Sequence, residues 1–75
     1  MASESVILFP STNYAIWADR ELAKEEIAHK LAPIPRDLSS SCGYCIRIER
    51  SLSDRVSELF RERGIEIEGI VEITG

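Results

Sequence analysis

Residues 44–73 read YCIRIERSLSDRVSELFRERGIEIEGIVEI, and two changes of period within this stretch decide the fold. Tyr44 to Glu49 alternates: Tyr44, Ile46 and Ile48 fall on one side and Cys45, Arg47 and Glu49 on the other, the pattern of a strand. From Ser51 the spacing lengthens, and Leu52, Val56, Leu59 and Phe60 recur at helical intervals. Ser51 with Asp54 has the form of a capping box, and Gly64 stands where a helix closes on a left-handed residue. Ile65 to Ile73 then alternates again and predicts a last strand with one acidic face. The second half of the chain is β-α-β.

The first half has the same grammar. Ser5 to Phe9 is a compact apolar run stopped by Pro10, which predicts a buried strand. Ser11 and Thr12 offer hydroxyls to cap a helix over residues 12–27, whose apolar stripes are Ala15-Ala18-Leu22 and Ile16-Ala23-Ile27. Trp17 leaves both stripes and shares a side with Tyr14, as a rim residue or an aromatic anchor for a partner. His29 to Ile34 is short and apolar, a second strand with Pro33 at its edge. The order β-α-β-β-α-β is the split β-α-β arrangement of ferredoxin-like α+β folds: a four-stranded antiparallel sheet with two helices on one face. The opposite face is expected to show Cys45, Arg47, Glu49, Glu66, Glu68 and Glu72, an acidic surface either solvated or covered by a second subunit.

Seventy-five residues form a single domain, residues 1–75, near the lower size at which one core sustains a fold; a second copy would be an easy remedy. The net charge of −4, with basic residues scattered among acidic ones, argues against nucleic acid and against an anionic membrane as partners. The run Val6-Ile7-Leu8-Phe9 is too short for a signal peptide or a membrane span, so the expected location is cytoplasmic, where thiols stay reduced.

That expectation directs attention to Cys42-Gly43-Tyr44-Cys45, which follows the loop Pro35-Arg36-Asp37-Leu38-Ser39-Ser40-Ser41. Four readings are open. A zinc site needs four ligands; one chain offers Cys42, Cys45 and His29, so a metal would have to be shared between two chains. A thioredoxin-like dithiol would sit at a helix start, whereas this pair opens a strand. Fully extended, residues 42 and 45 would lie about 10 Å apart at roughly 3.3 Å per residue, beyond the roughly 7 Å a disulfide spans. Gly43 is the residue that would permit the turn needed to close one. The third reading is a nucleophilic or carrier thiol at Cys42, its thiolate or persulfide stabilised by serine hydroxyls, backbone N–H groups, Arg36 and Arg47. The fourth is two inert, small apolar residues. His29 is expected as a surface or strand-edge residue, and Glu66, Glu68 and Glu72 as a solubility device.

Three segments carry a family resemblance: Phe9-Pro10-Ser11-Thr12 with Ala15; Pro33-Ile34-Pro35-Arg36-Asp37-Leu38-Ser39-Ser40-Ser41-Cys42-Gly43; and Gly64-Ile65-Glu66-Ile67-Glu68-Gly69-Ile70. In that order and spacing the chain resembles the selenium/sulfur carrier-like family of short bacterial and archaeal domains. The Pro-Arg-x-Leu-Ser-Ser-x-Cys-Gly segment is the distinctive part. The resemblance implies a ferredoxin-like fold and makes Cys42 the family's cysteine. The function expected is a sulfur or selenium carrier, not a turnover enzyme. Cys42 holds a persulfide or selenopersulfide, Cys45 is the resolving thiol, and Arg36, Ser39, Ser40, Ser41 and Gly43 form the cargo-stabilising loop. Donor and acceptor proteins are then the partners, with no cofactor and no resident metal. The alternative is a non-catalytic module that dimerises through its open sheet face, with a metal shared by the Cys42/Cys45 pairs of two chains. A general dithiol oxidoreductase is the third possibility.

Overall fold

The computed structural model describes residues 3–34 and 43–74. Along the chain run β1 (Ser3–Leu8), α1 (Thr12–Lys24), β2 (Lys30–Pro33), β3 (Tyr44–Glu49), a 3-10 turn at Arg50–Leu52, α2 (Ser53–Arg63) and β4 (Gly69–Thr74). The strands form one antiparallel sheet in the order β2-β3-β1-β4, an α+β fold with its most deeply buried strand, β1, inside. Ile7 of β1 pairs with Ile46 of β3 and Ile70 of β4, and this row meets both helices. Ala15, Ala18 and Leu22 of α1 and Val56, Leu59 and Phe60 of α2 close the same core. Alanines at two of the three α1 positions keep side-chain bulk low where the helix packs on the sheet.

Both helices end by the same device. Gly64 is left-handed at φ 76°, with Ile65 N–H donating to Phe60 O at 2.9 Å and Gly64 N–H to Arg61 O at 3.4 Å. In α1 the equivalent residue is Glu26, at φ 56°, with Ile27 N–H donating to Leu22 O at 3.0 Å and Glu26 N–H to Ala23 O at 3.1 Å. Each closure drops an isoleucine, Ile65 or Ile27, into the core. The helix expected over 12–27 therefore stops at Lys24, and Ile27 packs as part of the closing turn. A β-carbon is disfavoured at such a φ, so Glu26→Gly is expected to raise stability by about 0.5–1 kcal/mol in urea unfolding. An unchanged or lowered midpoint would show that the left-handed turn carries no strain.

The expected capping box does not form. The 3-10 turn carries the chain into α2 with Leu52 at the cap position and no side-chain cap bond, while Ser51 is exposed. Leu52 packs against the core, which fixes the entry to the helix without a hydroxyl. The polar contact here is tertiary: the Ser5 and Ser53 hydroxyls meet at 2.7 Å, joining the buried β1 residue to α2.

The face turned away from the helices is not the acidic surface expected. Val6, Leu8 and Cys45 are buried on it, with Ile34, Val71 and Ile73 packed against them. Glu66 and Glu68 precede β4, and Glu72 pairs with Ser5 on the helix side, where its carboxylate meets Arg50 at 3.2 Å. The cause is a change of parity. Leu8 pairs with Gly69, yet its carbonyl also accepts the Glu68 N–H at 2.6 Å, so two residues oppose one. Upstream of this bulge the odd residues Ile65 and Ile67 face the core; downstream the even residue Ile70 does.

Candidate thiol site

Gly43, Tyr44 and Cys45 form the described end of the cysteine motif, and β2 fixes their directions. Ile34 N–H donates to Gly43 O at 3.2 Å, extending the β2–β3 ladder one pair beyond Pro33–Tyr44. Cys45 sits between Ala32 on β2 and Leu8 on β1. Its side chain is 0% exposed, and its Sγ lies 3.7 Å from the Pro33 carbonyl, a weak S–H···O contact. Solution reagents reach this sulfur only when the sheet end opens. Arg47, two residues on, shares the face; its Nη2 donates to Glu4 Oε1 at 2.6 Å, and its Nε is buried with no hydrogen-bond partner among the described residues. Of the six residues expected on the Cys45 face, alternation and register keep Arg47 and Glu49 there beside it.

Cys42 and the loop residues Arg36, Ser39, Ser40 and Ser41 lie outside the described residues. Gly43 is exposed and would meet nothing within 4 Å if it carried a β-carbon.

Tyr44 points the other way, toward the helices, and is 45% exposed. With Leu31, Thr12, Ala15 and Ile16 it lines an open depression of about 410 Å³, which the sequence reading did not anticipate. The signal was present: an edge strand puts Leu31 beside Tyr44 across the pair Leu31–Ile46. Trp17, 40% exposed, stacks on Tyr14 at a 6.2 Å centroid distance. The Tyr14 hydroxyl donates to Glu66 Oε2 at 2.7 Å, and that hydrogen bond to a carboxylate raises the phenol pKa.

His29 is committed locally. Its Nδ1 lies 2.8 Å from Ile27 O and its Nε2 2.7 Å from Asp19 Oδ1, so the ring ties α1 to the start of β2. A shared zinc would have to compete with both contacts for its nitrogens. Among the described residues no group of three or more His, Cys, Asp or Glu side chains is placed to hold a metal. Glu21, nearly buried, receives Lys24 at 3.1 Å and Arg63 at 3.2 Å, and so joins the C-terminal turns of the two helices. No helix among the described residues is long and apolar enough to cross a membrane.

Compared with known proteins, the chain matches one family model, described as "Putative Se/S carrier protein-like", over residues 4–72. No curated protein and no solved structure matches it.

Proposed function

The chain belongs to the selenium/sulfur carrier-like family, and from that premise we propose that it carries sulfane sulfur or selenium on Cys42. The observation that carries this reading is the extent of the match, from β1 into β4, which takes in the whole cysteine loop. The strand order β2-β3-β1-β4 supports the ferredoxin-like form of the α+β fold.

In the proposed loading step the Cys42 thiolate attacks the outer sulfur of a donor persulfide. A Cys42–S–SH forms, and the donor leaves as a thiolate. Arg36, Gly43 and the Ser39, Ser40 and Ser41 groups would hold the anionic terminal atom. In release, the Ile34–Gly43 pair must first open at the end of the ladder; the Cys45 thiolate then attacks the Cys42 sulfur and expels hydrosulfide, leaving a Cys42–Cys45 disulfide. Two thiol sulfurs are oxidised as the sulfane sulfur is reduced, and an external thiol must then reduce the disulfide. The burial of Cys45 supports this division of labour, because a shielded sulfur does not compete for the donor. Such a cycle needs donor and acceptor proteins and makes the chain a carrier rather than a turnover enzyme.

The test is loading from a small-molecule persulfide, read as thiocyanate after cyanide treatment. Wild type and Cys45→Ala are expected to take up about one equivalent each, and Cys42→Ser almost none. Equal loading of Cys42→Ser would refute the assignment.

A further inference from the structure

The two edges of the sheet are unlike, and the ladder shows which backbone groups each turns away from its neighbouring strand among the described residues. The Ile34 N–H to Gly43 O bond makes Ile34–Gly43 a hydrogen-bonded pair, so Cys45 and Arg47 direct their backbone groups toward β2 and Ile46 and Ile48 direct theirs toward β1. Alternation then turns Glu4, Val6 and Leu8 toward β4, in agreement with the Glu68 N–H to Leu8 O bond. On β4, Gly69, Val71 and Ile73 face β1, while Ile70 and Glu72 present N–H and C=O outward. On β2 the outward residues are Leu31 and Pro33; Pro33 has no N–H, and the strand is four residues long. That edge is blunted in the way natural sheets avoid pairing. β4 is six residues long, with no proline or lysine, and its Ile70, Val71 and Ile73 are half-buried.

From this contrast we infer that β4 pairs antiparallel with β4 of a second copy, joining two sheets into one of eight strands. Side-chain parity restricts the register. Centring the two-fold on Glu72 would set two carboxylates directly opposite each other. Centring it on Val71 sets Val71 against Val71 and Ile70 against Glu72. Both outward residues then exchange their backbone hydrogen bonds, and the Arg50–Glu72 ion pair is left intact. The interface uses the edge rather than the open sheet face. It places the two β3 strands five inter-strand steps apart, about 24 Å. Metal shared between the Cys45 thiols of the two copies is incompatible with it. The inference does not depend on sulfur carriage, since β2 and residues Gly43, Tyr44 and Cys45 lie toward the opposite edge.

The test is sedimentation equilibrium of the full chain with two variants. Wild type is expected at twice the 8.4 kDa chain mass. Glu72→Pro removes an outward N–H, tolerated at an edge, and should weaken association at least about tenfold, with the circular dichroism spectrum retained. Val71→Cys should oxidise to a covalent dimer that peptide mapping assigns to the two substituted positions, because facing residues of a non-hydrogen-bonded pair lie about 4.5 Å apart. If Glu72→Pro fails to fold, that cross-link decides. A monomer up to about millimolar concentration would overturn the inference. So would a dimer in which Val71→Cys does not cross-link, or one lost in Cys42→Ser.

Discussion

Phe9→Ala is expected to cost about 3–5 kcal/mol, a large share of what a chain of this size has to lose. Phe9 is fully buried just beyond β1, with its ring 6.0 Å from that of Phe60 and tilted by 57°. It lies where β1, α1 and α2 converge, so the cavity left by alanine is walled by three elements that cannot all close on it. A chain of this size has about 4–11 kcal/mol to lose at the usual stability per residue. Urea unfolding should show a midpoint far below wild type at an unchanged slope. A loss under about 1 kcal/mol would mean that the core closes over the gap and that this junction does not organise the fold.

Cys45→Ala is expected to lengthen the life of cargo on Cys42 by at least about tenfold. In the proposed cycle the second thiol offers an internal route to hydrosulfide; without it, release would depend on an external thiol. The substitution stays apolar beside Val6 and Leu8, so the sheet tolerates it better than Cys45→Ser, which would bury a hydroxyl near the weak Pro33 contact. Hydrosulfide evolved from loaded protein without reductant measures the effect. Equal rates in wild type and Cys45→Ala would remove Cys45 from the mechanism and leave Cys42 acting alone.

The element order was legible in the sequence, because α1, β3 and α2 keep their own periods, β1 and β2 are short apolar runs marked by proline, and Gly64 punctuates α2. The misreadings have local causes. Glu26 closes α1 in a left-handed conformation that glycine usually signals, so the helix looked three residues too long. Ile65 and Ile67 alternate with glutamates as a strand would, yet they belong to the approach to β4. The Glu68–Gly69 bulge then reverses parity, moving Glu72 to the helix side and Val71 and Ile73 to the face of Cys45. A one-residue insertion into a period of two leaves no mark in composition. At the site, the motif and the strand beginning at Tyr44 could be read directly. The burial of Cys45 could not, since it depends on Leu8 and Ala32 arriving from strands distant in sequence.

The most direct measurement is the intact mass of the chain under native conditions after exposure to a persulfide donor, followed by peptide mapping. Carriage on Cys42 requires a gain of about 32 mass units per chain, reversed by thiol, located on the peptide containing Cys42 and absent from Cys42→Ser. An adduct on Cys45 alone, or no adduct with the chain fully folded, would contradict it.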